Sequence, residues 1–288
     1  MLTRAQSEHW HAQGYVVLPG FKPAAETAAA VARANALVAG FEPTPATGVF
    51  SARDSTRVAD AALLASAEQV HVFFEEEAFD AQGRLVVPKA ASINKIGHAL
   101  HDLDAVFTPF SRGPALAELA RDLGLAQPEV WQSQLIFKQP RIGGEVGWHQ
   151  DASFFVTEPQ TVTTFWFALE DATLDNGCLW VQPGGHLSPL RERFVSVDDG
   201  RGGGGRQLKM QRLDSTPWPA TGSGTVALPV EAGTLVCFHG LLPHYSGPNR
   251  SPGSRLAYTL HATDAGAAYS AQNWLQRTAA LPVRGFEG

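Results

Sequence analysis

Residues 130–139, VWQSQLIFKQ, decide the fold because the spacing of apolar side chains changes there. Upstream, segment 114–124 repeats its apolar residues with the period of a helix, whereas the later segments follow the period of a strand. Short runs rich in β-branched or aromatic residues then recur at 130–139, 161–169, 178–182, 225–230, 234–239 and 255–261. Short strands separated by glycine and proline predict an antiparallel barrel or jelly roll.

The first 125 residues predict helices that support this sheet. Thr3 and Gln6 form a capping-box pattern for a helix that ends before Gly14. Two further helices are predicted over 23–40 and 114–124, each opened by a proline. The overall prediction is a mainly β chain with flanking helices, an α+β arrangement.

Two strand pairings are also predicted from local signals. Residues 70–74 and 85–87 flank Gly83 and predict a strand pair whose acidic end, Glu75-Glu76-Glu77, is solvated. Asp175-Asn176-Gly177 is a strong hairpin signal between two later strands. The glycine run 200–206 lacks the ending of a phosphate-binding loop and predicts a flexible surface excursion.

Composition favours small-molecule chemistry. The chain has 288 residues, 44% of them apolar, and a formal charge of −6 without Lys/Arg clusters. This balance argues against a nucleic-acid groove or an anionic membrane surface, and no apolar run is long enough to span a bilayer. Cys178 and Cys237 lie in apolar runs and predict buried, reduced thiols. With no signal-peptide pattern and no terminal Ser-Lys-Leu, a cytoplasmic protein is expected.

The spacing of His149 and Asp151 indicates a metal site. In a strand, residues two apart point to the same face, so this imidazole and carboxylate can reach one ion. A third ligand could come from His239 or His244. Two histidines and one carboxylate on one side of an ion form the facial triad of non-haem Fe(II) oxygenases. Arg255, downstream, carries a rigid fork suited to bidentate capture of a carboxylate.

A rival pair of imidazoles exists upstream. His98 and His101 are three residues apart and could share one face of a helix. Side chains that line a pocket or face solvent are the simpler interpretation of this pair. The sequence therefore favours the downstream site.

The residues around His149 resemble the phytanoyl-CoA dioxygenase family of Fe(II)- and 2-oxoglutarate-dependent oxygenases. The matching stretches follow one another along nearly the whole chain, at 93–101, 136–140, 143–146, 149–153, 170–173, 176–180 and 273–276. The resemblance implies one dioxygenase domain, 1–288, with helical support at about 1–125, a double-stranded β-helix (jelly-roll, cupin-like) core at about 126–265 and a tail at 266–288.

The resemblance also implies residue roles. His149, Asp151 and His244 would hold Fe(II), with His244 preferred over His239 because the family's distal ligand precedes its arginine by this spacing. The cosubstrate 2-oxoglutarate would be bound by Lys95, Gln134, Trp166, Ser246 and Arg255, with Arg255 on its far carboxylate. Gln134 stands where the family's short members have methionine, which changes that contact.

The implied reaction is hydroxylation of an unactivated C–H bond in a small or lipid-like organic molecule. O₂ and 2-oxoglutarate are consumed, succinate and CO₂ are released, and ascorbate is a possible stimulant. Related halogenases replace the carboxylate ligand with a small residue, so Asp151 predicts hydroxylation. The rival hypotheses are a cupin-like metal-binding module, which has no use for Arg255, and a zinc hydrolase, which needs a general base.

Overall fold

The computed structural model of the chain describes residues 1–42, 49–50, 60–200 and 204–287. Its α-helices are α1 Arg4–Gln13, α2 Ala24–Gly40, α3 Asp60–Ala65, α4 Leu100–Leu103, α5 Phe107–Phe110 and α6 Pro114–Asp122. Among the described residues, no helix is both long and apolar enough to cross a bilayer.

The strands occupy mainly the second half of the chain. They are β1 Tyr15–Leu18, β2 Val49–Phe50, β3 Val70–Glu75, β4 Ile93–His98, β5 Pro128–Lys138, β6 Val146–His149, β7 Thr157–Glu158, β8 Thr163–Ala168, β9 Leu179–Val181, β10 Glu192–Asp198, β11 Arg206–Arg212, β12 Val226–Leu228, β13 Leu235–His239, β14 His244–Ser246, β15 Arg255–Asp264 and β16 Ala268–Tyr269.

Two sheets enclose the central core. The larger has the order β1-β13-β8-β15-β5-β4-β3-β2 and the smaller has the order β12-β9-β14-β6. Trp166, Val236 and Ala257 of the larger sheet pack with Leu179 and Val181 of the smaller one. Apart from the β2–β3 pair, neighbouring strands are antiparallel, and in the central part of the larger sheet, as in β8 with β15 and β15 with β5, they are distant in sequence. The predicted mainly β, jelly-roll fold is confirmed.

The outer face of the larger sheet is covered by the predicted helices α2 and α6 together with the short helix α5, which was not predicted. Tyr258 of β15 stacks on Phe107 of α5 with ring centroids 4.7 Å apart, and Phe110 meets Phe167 of β8 at 5.2 Å. Side chains alternate between the two faces of a strand. Since Tyr258 faces the helices, Arg255 and the other odd-numbered residues of β15 face the inter-sheet space.

The local signals for helix ends are confirmed. In α1 the Thr3 side chain accepts a hydrogen bond from the Gln6 amide, and the Gln6 side chain accepts one from Thr3 N–H. Gly14 ends this helix in the left-handed region with φ 81°. Helix α6 begins at Pro114, as expected for a residue without an amide hydrogen.

The predicted pairing of 70–74 with 85–87 is wrong. Strand β3 instead pairs with β4, and Leu85 forms only an isolated bridge to Phe79. Glu75 is buried rather than solvated, and it accepts hydrogen bonds from the Asn94 side chain and from Gly144 N–H. Local patterning identified a strand correctly but carried no information about its partner.

The turn at Asp175-Asn176-Gly177 is present but is not a hairpin. Gly177 has φ 88°, which favours glycine, yet the flanking β8 and β9 belong to different sheets. The strands on either side of the glycine run, β10 and β11, pair in register, with Asp198 opposite Arg206. Residues 201–203 of the run lie outside the described part of the chain, so the flexible surface excursion stays a prediction.

Candidate active site

Three side chains converge at the open end of the smaller sheet. His149 ends β6, His244 begins β14, and the two residues are direct cross-strand partners with ring centroids 4.1 Å apart. Oδ1 of Asp151 lies 3.5 Å from Nε2 of His149 and 3.7 Å from Nε2 of His244. One possible ligand atom from each of the three residues lies within 4.8 Å of the other two. The structure thus brings the predicted triad together, and its role in binding metal stays a prediction.

Asp151 reaches the histidines by a route other than the one predicted. Strand β6 stops at His149, Gln150 is extended, and Asp151 opens a 3₁₀ turn over Asp151–Ser153. The buried Gln150 side chain fixes this bend, since it donates to the Leu241 carbonyl and accepts from Arg191 N–H. The carboxylate is therefore positioned by a turn that a buried amide anchors.

Both histidines direct Nε2 toward the centre. Nδ1 of His149 lies 2.8 Å from the Gly147 carbonyl, and Nδ1 of His244 lies 3.0 Å from the Leu242 carbonyl. A carbonyl can only accept, so Nδ1 is the donor, and in the neutral form of each ring Nε2 carries the lone pair. Burial, with a contribution from His149, lowers the pKa of His244 to about 4. Neutral imidazoles oriented in this way are the usual state of histidine metal ligands.

The two oxygens of Asp151 have different surroundings. Oδ1 faces the histidines of the triad, whereas Oδ2 accepts a hydrogen bond from Thr164 Oγ1 over 2.5 Å and lies 3.4 Å from Nε2 of His261. Burial alone would raise the pKa of Asp151, but the neighbouring His244 and His261 hold it well below its usual range. The carboxylate is therefore ionised.

The competing histidines lie elsewhere. His239 ends β13, and its Nδ1 accepts a hydrogen bond from Leu241 N–H while its ring faces Trp10 and His186. His98 is the last residue of β4 and His101 belongs to α4, so the shared helix face that the rival metal pair would need does not form. His98 bonds to Ser66 and His101 to Ser133, which makes both structural.

Arg255 is buried and forms no ion pair with a carboxylate of the described residues. Its side chain is 2% exposed, and Nη2 donates to Ser246 Oγ over 3.3 Å. Nε and Nη1 have no hydrogen-bond partner among the described residues. Burial lowers the pKa of Arg255 to about 10, so it stays charged at neutral pH. Burying a guanidinium with unpaired donors costs free energy, and an anionic ligand that accepts its hydrogen bonds would remove this cost.

Two other predicted cosubstrate residues, Trp166 and Gln134, lie in one row of the larger sheet. Trp166 lies opposite Thr259, Thr259 opposite Gln134, and Gln134 opposite Gly97, which forms one row across four adjacent strands. The Trp166 ring lies 5.7 Å from the Arg255 guanidinium. Gln134 is partly committed elsewhere, because its amide donates to Gln132 over 2.7 Å.

Lys95 lies on β4, two residues before Gly97, and is opposite Ile136 of β5. Burial lowers its pKa to about 7, and Glu75 opposes this shift. The structure therefore collects Lys95, Gln134, Trp166, Ser246 and Arg255 around the inter-sheet space beside the triad. Their binding roles stay predictions.

Sequence reasoning assigned no role to three polar residues of this space, Thr164, Thr259 and His261. Thr259 Oγ1 is buried without a hydrogen-bond partner in the described part of the chain. The signal available in the sequence was the alternation of side chains along a strand. His261 and Thr259 share the face of Arg255 on β15, and Thr164 shares the face of Trp166 on β8.

Comparison with known proteins identifies the family. The family model "Phytanoyl-CoA dioxygenase (PhyH)" matches residues 10–257. The chain is 44% identical to phytanoyl-CoA dioxygenase 1 of Oryza sativa subsp. japonica over 277 residues, 96% of this chain and 94% of that one. It is 41% identical to phytanoyl-CoA dioxygenase domain-containing protein 1 of Bos taurus over 288 residues, covering 98% of this chain and 97% of the relative.

Solved structures share the fold at lower identity. The epimerase SnoN, crystallised with Fe3+, alpha ketoglutarate and nogalamycin RO, is 20% identical with a TM-score of 0.64, covering 98% of this chain and 93% of SnoN. EctD from S. alaskensis, crystallised with Fe, is 20% identical with a TM-score of 0.64, covering 99% and 86%. Together with the family model and the full-length relatives, this means that the chain belongs to the phytanoyl-CoA dioxygenase family.

Proposed function

We propose that this protein is an Fe(II)- and 2-oxoglutarate-dependent dioxygenase that hydroxylates a C–H bond of a small or lipid-like organic substrate and releases succinate and CO₂. The observation that carries the proposal is the buried Arg255 guanidinium, whose Nε and Nη1 lack partners among the described residues, next to a two-histidine, one-carboxylate cluster. A metal site alone would not need this cation.

The donor set fits ferrous iron. Two neutral imidazole nitrogens and one carboxylate oxygen, from His149, His244 and Asp151, form the facial triad associated with Fe(II) oxygenases. When bound, the iron supplies activation of O₂ and the oxidising power of the reaction. The protein residues would fix the ligand atoms and shield the ion from bulk water.

The cation site fits the far carboxylate of 2-oxoglutarate. Ser246 stands two residues after His244 on β14, a separation of roughly 7 Å along a strand. Arg255 bonds to Ser246. Its guanidinium therefore lies behind the triad at about the length of a short dicarboxylate. In this proposal, the ring of Trp166 and the amine of Lys95 form further walls of the 2-oxoglutarate site.

Two rival functions fit less well. A zinc hydrolase could use the same three ligands but needs a general base and gives no role to the unfilled donors of Arg255. A non-catalytic cupin-like module would share the barrel and the triad but has equally little use for that guanidinium. Asp151 also favours hydroxylation over halogenation, since a halide would need the coordination position that its carboxylate takes.

The relatives' name suggests an acyl-CoA substrate, but the composition of this chain argues against one. The chain has a net charge of −6 and no Lys/Arg cluster suited to the phosphates of coenzyme A. A small or lipid-like molecule is therefore proposed. Residues 1–288 are proposed to act as one catalytic domain, and the free, buried Cys178 and Cys237 support a reducing, cytoplasmic compartment.

Succinate release tests the proposal. The protein is incubated in air with Fe(II), 2-oxoglutarate and ascorbate against a library of metabolites, and succinate is measured with and without each compound. Substrate-stimulated succinate is expected from the wild type and from Arg4→Gln, a change on the surface of α1. It is expected to be absent from Arg255→Gln. Wild-type protein that binds iron but never forms succinate would contradict the proposal.

A further inference from the structure

Thr164 and His261 lie directly opposite each other on β8 and β15, and both meet the same oxygen of Asp151. Thr164 Oγ1 donates to Oδ2 over 2.5 Å, and His261 Nε2 lies 3.4 Å from Oδ2. The other oxygen, Oδ1, is the one that faces His149 and His244. The carboxylate is thus divided into an inner oxygen and an outer oxygen with separate partners.

Both outer partners are rigidly held. Thr164 is 1% exposed and His261 is 7% exposed, and each lies within a strand paired on both sides. The His261 ring also stacks on Phe155 with centroids 4.9 Å apart and an interplanar angle of 26°. Its Nδ1 has no hydrogen-bond partner in the described part of the chain, so the polar contact of this ring is with Asp151.

This division has a chemical consequence. A carboxylate can bind a metal through one oxygen or through both. Here the hydrogen bond from the Thr164 hydroxyl uses one lone pair of the second oxygen, and the close approach of His261 Nε2 occupies the space beside it. A cosubstrate that chelates through two atoms, together with O₂, needs every position that a facial triad leaves open. A carboxylate bound through both oxygens would take one of those positions.

We propose that Thr164 and His261 are positioning residues that hold Asp151 as a one-oxygen ligand and so keep the third position open for O₂. The inference rests on the proposed function and adds two residues that touch neither the metal nor the cosubstrate. Groups that orient metal ligands commonly affect metal affinity or activity by about 10-fold to 100-fold when removed.

Three substitutions separate positioning from packing. Thr164→Val keeps the shape and removes the hydroxyl, Thr164→Ser keeps the hydroxyl, and His261→Phe keeps a ring to stack on Phe155. The matched control is Thr163→Val, the adjacent buried threonine of β8, whose hydroxyl bonds to the Thr161 carbonyl instead.

The experiment measures Co(II) affinity of each full-length variant by titration, with thermal unfolding of the metal-free proteins alongside. Thr164→Val and His261→Phe are expected to bind Co(II) about 10-fold or more weakly than the wild type. Thr164→Ser and Thr163→Val are expected to retain wild-type affinity. Succinate formed without hydroxylated product is also expected to rise in Thr164→Val.

Equal Co(II) affinity in all variants, or an equal loss in Thr163→Val, overturns the inference, as does failure of serine to restore affinity. The result is separable from the proposed function. A wild-type protein that binds Co(II) tightly but forms no succinate with any substrate would sink the dioxygenase proposal, while the order of the variants' Co(II) affinities would still decide the roles of Thr164 and His261.

Discussion

Nη2 of Arg255 donates a hydrogen bond to Ser246 Oγ over 3.3 Å, and this bond joins the strand that carries His244 to the guanidinium behind the triad. The same hydroxyl donates to the Gly177 carbonyl over 2.8 Å. Ser246 is therefore held in place by two hydrogen bonds and connects the smaller sheet to β15. The distance between the metal triad and the cation follows from that link.

Replacing Ser246 with alanine is expected to weaken 2-oxoglutarate binding about tenfold, because a hydrogen bond to a charged group contributes roughly 1.5–3 kcal/mol. The measurement is a 2-oxoglutarate titration of the Fe(II)-loaded protein without O₂. Ser254→Ala, which removes a hydroxyl bonded to Glu170 on the surface, serves as the control and should change nothing. Equal 2-oxoglutarate affinities of the two variants would argue against a role of Ser246 in positioning Arg255.

Arg255→Met is expected to abolish 2-oxoglutarate binding and to raise the melting temperature of the cosubstrate-free protein. The wild-type guanidinium is buried with unfilled donors, which destabilises the fold until an anion binds, and a similar-sized apolar side chain removes that penalty. Differential scanning calorimetry with and without 2-oxoglutarate checks both parts. A lower melting temperature in the absence of cosubstrate would contradict this reasoning.

Binding of 2-oxoglutarate is expected to weaken with rising pH near neutrality. Burial lowers the pKa of Lys95 to about 7, so its charge is present below that pH and is lost as the pH rises through it. Affinity should therefore be greater at about pH 6 than at about pH 8, where an unburied lysine would stay charged. Lys95→Met should show weaker binding and a flatter profile over the same range. An unchanged slope in that variant would exclude Lys95 as the source.

Asp151→Ala is expected to abolish coupled oxidation. The substitution removes the carboxylate that unites the two imidazoles and leaves the donors of Thr164 and His261 without their acceptor. Iron content by mass spectrometry and succinate formation are both expected to fall to background. Normal succinate production by this variant would show that the reaction does not use this carboxylate.

The sequence allowed prediction of those features that local spacing encodes. The cap at Thr3, the helix at Pro114 and the strand that begins at Arg255 depend on neighbours a few residues away, and the structure confirms them. The jelly-roll expectation held because several short strands of one period follow one another.

Features set by strand order were beyond reach. The partner of β3 is β4 and not 85–87, and the turn at Gly177 crosses between sheets, because pairing depends on the whole topology. The contact of Thr164 and His261 with one oxygen of Asp151 has the same origin. Each residue is unremarkable in its own strand, and only the register of β8 with β15 brings them together.

The most direct test is an anaerobic titration of the wild-type protein with Fe(II) and 2-oxoglutarate, followed by visible absorption. A weak charge-transfer band is expected only when both are present. It should saturate at one equivalent of each and vanish in Asp151→Ala and Arg255→Met. A wild-type protein that shows no band, or a band that survives both substitutions, would contradict the claim that His149, Asp151 and His244 hold the metal in front of Arg255.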